Sequence, residues 1–225
     1  MEKRSKLCHR HIVPLIGYCN DNDQTMLVYK YMARGSLREQ LFNTQKPPLT
    51  WIQRLEICIG AARGLDYLHR GADHDAIIHR NVKLSNILLD EEWDALISDN
   101  LETDTSEVFI GSNEPGAPLY VTSRHSQRTD VYYFCVVLFE VLCGRPHFDS
   151  SVPREQFNLV EWAARCREEG NLDRIVDPYL RGKITKECLN KFVETAEHSA
   201  SMEAVVSGLE RALGFQLNGE GSGSK

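Results

Sequence analysis

The chain has 225 residues, 42% of them hydrophobic and 26% charged, with a net charge of −6 and a pI near 5.8. Such a composition is that of a soluble globular protein, and the acidic balance argues against nucleic acid as a partner, because that binding needs a clustered basic face. The seven cysteines, at positions 8, 19, 58, 135, 143, 166 and 188, are odd in number and form no C-x-x-C pair, which fits reduced, buried thiols better than a disulfide framework or a zinc site.

Glu2, Lys3, Arg4 and Lys6 stand where a signal peptide would be apolar. Residues 12–17 and 25–31 read as two short strands around the turn Asn20-Asp21-Asn22-Asp23. After Gly35 the pattern becomes helical. Thr50 is a good N-cap behind Pro47 and Pro48, and Trp51, Leu55, Cys58, Ile59, Ala62, Leu65 and Leu68 recur at helical spacing up to the stop at Gly71. Three short apolar runs, 76–79, 87–89 and 95–98, read as small strands. The run 131–143 is apolar nearly all round and predicts a buried helix ending at Gly144. It is too short to span a bilayer and contains Glu140, so no membrane segment is expected in this chain. Asn158 can cap a helix reaching Glu169 and closed by Gly170, Thr185 can cap another reaching about residue 200, and 202–213 makes a last one. The Gly- and Ser-bearing tail, 218–225, reads as flexible.

The most informative stretch is Ile78-His79-Arg80-Asn81-Val82-Lys83-Leu84-Ser85-Asn86-Ile87-Leu88-Leu89. It resembles the protein-kinase catalytic loop, H-R-D-L-x-x-x-N, with Asn81 where the Asp belongs. A carboxamide has nearly the carboxylate's shape but no charge and no useful basicity, and a general base is worth about 10² to 10⁴ in rate. Other stretches extend the match. They are Leu7-Cys8-His9-Arg10-His11-Ile12-Val13-Pro14-Leu15-Ile16-Gly17, Leu27-Val28-Tyr29-Lys30-Tyr31-Met32, Leu49-Thr50-Trp51-Ile52-Gln53-Arg54-Leu55, Ala61-Ala62-Arg63-Gly64-Leu65 and Asp130-Val131-Tyr132.

On these residues the chain resembles, from Lys6 to about Leu217, the cytoplasmic domain of plant receptor-like kinases, most closely the FERONIA group with malectin-like ectodomains. The resemblance implies an α+β, protein-kinase-like fold, mainly the helical large lobe (C-lobe, 33–217) with a remnant of the small-lobe sheet. That remnant, 1–32, holds the end of helix C, two strands and the hinge, and 218–225 is a tail. It also implies ATP and magnesium as cofactors. Met32 in the hinge 30–32 and Leu88 as the floor line the adenine pocket behind the gatekeeper Tyr29. Asn86 and Asp99 are magnesium ligands, Lys83 contacts the transferred phosphate, and Arg80 receives an activation-loop phosphate.

Against that pattern the chain shows several departures. No G-x-G-x-x-G loop occurs in it, and neither Lys3 nor Lys6 lies where the strand-three lysine belongs. Glu2 is about two residues out of place for the helix C glutamate. Ser98-Asp99-Asn100-Leu101 keeps the metal-binding Asp of D-F-G and loses the Phe and the Gly. Asp99 and Asn86 remain a possible oxygen pair for magnesium, or are remnants held in local hydrogen bonds. Ala117-Pro118-Leu119 lacks the Glu of A-P-E, and the Arg-Pro segment expected before the last helix is absent. The stretch 99–119 sets Glu102, Asp104 and Glu107 among hydroxyl side chains, either as a partner for Arg80 or as a solvated run. His9 and His11 read as packing residues.

The expected function is a catalytically inactive pseudokinase, which docks to other receptor-like kinases or co-receptors in the cytoplasm, at the inner face of the plasma membrane if part of a receptor. The alternatives are a Ser/Thr protein kinase completed by an upstream segment, and a truncated, non-functional product.

Overall fold

The structure is a computed structural model, and it describes residues 7–21, 24–42, 45, 47–71, 76–98 and 126–222. Two antiparallel strands come first, β1 (Leu15–Asp21) and β2 (Gln24–Tyr29), with Leu15 across from Tyr29 and Asp21 across from Gln24. The first strand starts later than its apolar run suggests. Pro14 has no N–H to give a ladder, and its carbonyl accepts from Lys30 N–H. Ile12 and Val13 instead join the large lobe, where Val13 N–H donates to the Ile97 carbonyl and Ile97 N–H donates to that of His11.

A helical body follows. Helix α1 (Leu37–Leu41) opens on a capping box, Ser36 with Glu39. Helix α2 (Trp51–Arg70) runs from the Thr50–Gln53 capping box to Gly71, which ends it in the left-handed region at φ 62°. Next come a short 3₁₀ turn (Leu84–Asn86) and a second ribbon of two strands, β3 (Ile87–Leu89) and β4 (Ala95–Ile97), paired Ile87 to Ile97. Helix α3 (Gln127–Cys143) ends at Gly144, as its sequence predicts. Helices α4 (Leu159–Glu168), α5 (Lys186–His198) and α6 (Met202–Ser222) complete the chain, with Asn158 and Thr185 as caps of the first two.

One core joins these helices. Leu55, Leu65, Phe134, Phe139, Leu142 and Phe192 are at most 1% exposed within it. Arg54 crosses it, donating to the carbonyls of Leu49 (3.2 Å) and Val141 (2.7 Å) and to Asp177 Oδ2 at 2.6 Å.

Two sequence expectations differ from the structure. Residues 76–79 form no strand, because their donors go elsewhere: Ile77 N–H to the Leu68 carbonyl and His79 N–H to the carboxylate of Asp130. Helix α6 runs on to Ser222, through 218–222, where a flexible tail was expected. Buried Gln216 holds that end down, accepting from Thr185 N–H and donating to the Lys183 carbonyl and Glu220. Helices α5 and α6 are joined by only three residues, Ser199 to Ser201. Residues 223–225 lie outside the described residues.

The small-lobe hairpin is fastened to the large lobe through the turn between β3 and β4. Arg34 donates to the Glu91 carbonyl (2.7 and 3.1 Å) and stacks over the Trp93 ring at 4.2 Å. Lys30 lies 3.7 Å from Asp90, and Arg10 makes a two-pronged pair with Asp94 at 2.8 and 3.1 Å. Three basic residues that flank the hairpin in sequence thus gather on one acidic turn.

Candidate functional site

The catalytic-loop residues come together around the first turn of α3. Asp130 is fully buried, and its carboxylate is the hub. Oδ2 accepts from His79 N–H at 2.7 Å and lies 2.9 Å from His69 Nε2, while Oδ1 accepts from Arg80 N–H at 2.8 Å. Arg80 needs this grip, since its φ of 68° lies in the left-handed region, which costs a non-glycine residue about 1–3 kcal/mol. Its side chain points outward and is exposed. No described residue pairs with its guanidinium, and the acidic run 99–119 lies outside the described residues.

From the hub the loop is tied forward. His79 Nε2 lies 2.9 Å from the Ser98 carbonyl, and Ser98 donates its N–H to the Asn86 carbonyl at 2.9 Å. Asn86 is buried, and its Nδ2 donates to the Asn81 carbonyl at 2.7 Å. Asn81 N–H reaches His79 Nδ1 at 3.3 Å. Among the described residues both bonds of Asn81 are backbone bonds, so there its side chain is not among the groups that hold the loop. Lys83 is exposed at the start of the 3₁₀ turn.

Two more expected site residues, Met32 and Leu88, fall together in a small cluster with Val13, Leu96 and Tyr29. Met32 is buried, and its carbonyl accepts from Gly35 N–H at 3.1 Å. Asp99, Asn100 and Leu101 lie outside the described residues, as do Ala117-Pro118-Leu119, Glu2, Lys3 and Lys6. For magnesium the described residues therefore offer Asn86, whose Nδ2 donation to Asn81 leaves Oδ1 as its acceptor atom, a hard oxygen of the right kind. Among the described residues no group of three or more His, Cys, Asp or Glu side chains could hold a metal ion.

His9 and His11 are packed. His9 stacks on Tyr67 with centroids 4.6 Å apart, and His11 Nδ1 lies 2.9 Å from the Ala95 carbonyl. Burial holds both imidazoles below their ordinary pKa, His11 despite the bond to Ala95. Burial pushes the Cys58 and Cys135 thiols up to about 12 and Cys188 to about 11. All seven cysteines are free. Two surface grooves, of about 620 and 420 Å³, are lined by residues away from the catalytic loop.

The anchoring roles of Asp130, His69 and Ser98 are not legible in their local sequence. An Asp ahead of an apolar helix reads only as a favourable first-turn charge. Together, a buried helix whose first-turn Asp grips the His-Arg pair of a loop that ends in Asn define the large lobe of a protein kinase. The comparisons go further. Residues 1–194 match the protein tyrosine and serine/threonine kinase family. The chain is 51% identical over 241 aligned residues to the receptor-like protein kinase FERONIA of Arabidopsis thaliana, covering 99% of this chain and 27% of FERONIA. It is 47% identical to ANXUR1 (99% and 28%) and 49% identical to THESEUS 1 (88% and 24%), both receptor-like protein kinases of Arabidopsis thaliana. The chain belongs to this kinase family, as a kinase domain of the plant receptor-like kinase type. It spans about a quarter of the length of these relatives.

Proposed function

We propose that this domain is a catalytically inactive kinase fold that acts by docking to other proteins in receptor-kinase signalling. The observation that carries this reading is Asn81. It occupies the base position in a loop that is otherwise tied as a catalytic loop, through Asp130, His79 and Asn86. An amide there cannot take a proton from a substrate hydroxyl. The loss of the Phe and Gly from D-F-G, and of the Glu from A-P-E, points the same way. The partners are other receptor-like kinases or co-receptors, and the place of action is the cytoplasm, at the inner face of the plasma membrane if the domain is part of a receptor. Among the described residues no helix is long and apolar enough to cross a membrane.

Where Mg-ATP binds, it supplies the transferable phosphoryl group. Met32 and Leu88 would hold the adenine, Asn86 and Asp99 the metal, and Lys83 the phosphate. Retention of Lys83 and Asn86 favours a second reading, an active Ser/Thr kinase.

A radiolabelled phosphotransfer assay on the purified chain decides between them. Neither the unmodified chain nor Asn81→Asp is expected to transfer phosphate, because restoring the base leaves D-F-G broken. Transfer by the unmodified chain would refute the inactive reading.

A further inference from the structure

The segment ahead of β1 is held by two histidines whose ring nitrogens have opposite tasks. His11 N–H donates to His9 Nδ1 at 3.2 Å, so that nitrogen carries no proton. His11 Nδ1 lies 2.9 Å from the Ala95 carbonyl, which only accepts. This Nδ1 therefore carries the hydrogen, and Nε2 is where a second proton would go. The two ring centroids are 5.6 Å apart. His9 lies flat on Tyr67 of α2, and the backbone of His11 passes so close to the same helix that a side chain begun at Gly64 would collide with its carbonyl. What the pair holds reaches the catalytic loop. The His11 carbonyl accepts from Ile97 N–H at 2.9 Å, and Val13 N–H donates to the Ile97 carbonyl at 3.0 Å. Ser98 comes next, with its bonds to Asn86 and His79.

We infer that His9 and His11 form an acid-released latch. With both rings neutral it fastens segment 9–13 to α2 and β4. When the rings take up protons it lets the segment go, and β4 loses its neighbour beside the catalytic loop. The inference is separate from the docking role and holds whether or not the cleft transfers phosphate.

Protonation works against the closed latch in three ways. At His9 it turns Nδ1–H toward His11 N–H, donor against donor. At His11 it leaves the bond to Ala95 in place but puts a charge on a ring whose residue is 6% exposed, close to a second cation. The third is that the nearby carboxylates are taken. Asp66 of α2 pairs with Arg70 at 2.8 Å, Asp94 of the β3–β4 turn with Arg10, and Glu210 of α6 with Arg63 at 2.7 Å. Arg10 and Arg63 add positive charge beside the rings. Glu56 and Glu92, on the groove that His11 lines, are exposed and screened by water. Burial accordingly holds both imidazoles below their ordinary 6.5. Each closed ring refuses a proton that the released segment accepts. Below pH 6.5 release is therefore favoured by up to about tenfold per ring per pH unit, and above it the latch is fully closed.

Hydrogen exchange of the Val13 and Ile97 amides tests this on the whole chain at about pH 7.5 and about pH 5.5, corrected for the intrinsic pH dependence of exchange. In the unmodified chain their protection should fall at least about tenfold between the two. At the lower pH it should also lie about tenfold or more below that of Leu138, fully buried in α3, because release opens the segment and not the body. In the double variant His9→Asn, His11→Asn both amides should keep one protection at the two pH values. Asn at position 9 still accepts from the amide two residues on, and Asn at position 11 still donates to the Ala95 carbonyl. An NMR titration of the ring carbons in the unmodified chain needs no variant, and should place both imidazole pKa values below 6.5. Protection that ignores pH, that falls equally in the double variant, or that falls only to the level of Leu138 would overturn the latch, as would either ring titrating at or above 6.5.

Discussion

Replacing Asp130 with Asn tests whether the buried carboxylate holds the catalytic loop. The amide keeps the shape and one acceptor oxygen, and turns the other position into a donor. With its NH₂ toward the present Oδ2, it would face both His79 N–H and His69. The cheaper orientation places the NH₂ against Arg80 N–H, now bonded at 2.8 Å, and orphans that partly buried donor. Losing one hydrogen bond to a charged group and leaving its partner unsatisfied costs roughly 2–4 kcal/mol. The residue orphaned is the one held at φ 68°, so Arg80 has nothing left to keep it there. In a domain of this size each kcal/mol moves the melting temperature by about 2–4 °C, so Asp130→Asn should lower it by about 4–16 °C. Thermal unfolding followed by circular dichroism measures the shift, and hydrogen exchange should show faster exchange confined to 77–86. A melt displaced by less than about 2 °C, with exchange unchanged in that loop, would refute the hub argument.

Two further predictions concern the body of the fold. Arg54→Ala strands the Asp177 carboxylate and two carbonyls around a buried space, and should cost about 3–5 kcal/mol in urea unfolding. A loss below ~1 kcal/mol would mean that the guanidinium is not the tie it looks to be. The second prediction follows from His9 and His11, whose folded pKa values lie below the ordinary 6.5 because burial disfavours the cation. Below that pH the unfolded chain takes up protons that the folded chain refuses, so stability falls as pH drops from 6.5 toward the folded values and is full above it. Melting temperature measured against pH should bend downward there, and His11→Asn, which can still donate to the Ala95 carbonyl, should flatten the bend. An identical profile in the variant would exclude His11 as the cause.

The local signals in the sequence were sufficient for the helices. Thr50 and Gly71, Gly144, Asn158 and Thr185 mark ends that the backbone respects, because capping depends on residues within a turn of each other. The differences arise where a partner is distant. Residues 76–79 carry a strand-like composition, yet their donors find the Leu68 carbonyl and Asp130, the latter some fifty positions away. The far end of α6 carries Gly214, Gly219 and Gly221, poor helix formers in isolation. Buried Gln216 bonds it to 183–185, and Gly219 leaves room for Thr185. At the site the loop itself was legible as a motif. The buried carboxylate that shapes it was not, since nothing local distinguishes Asp130 from any acidic residue at a helix start.

Physical chemistry also explains how such a loop can keep its frame and change its base. Asn81 contributes to the loop through its N–H to His79 and its carbonyl to Asn86, and any residue but proline supplies both groups. The bonds described for His79, Asn86, Ser98 and Asp130 run to the backbone of position 81 or to other residues. Exchanging carboxylate for carboxamide there therefore removes proton-accepting chemistry and leaves these described ties in place. The reverse holds at Asp130, where three donors converge and the same exchange must break one of them. Chemistry and architecture are thus carried by different side chains only a few ångströms of loop apart, and a docking surface built on this lobe does not require the base to survive.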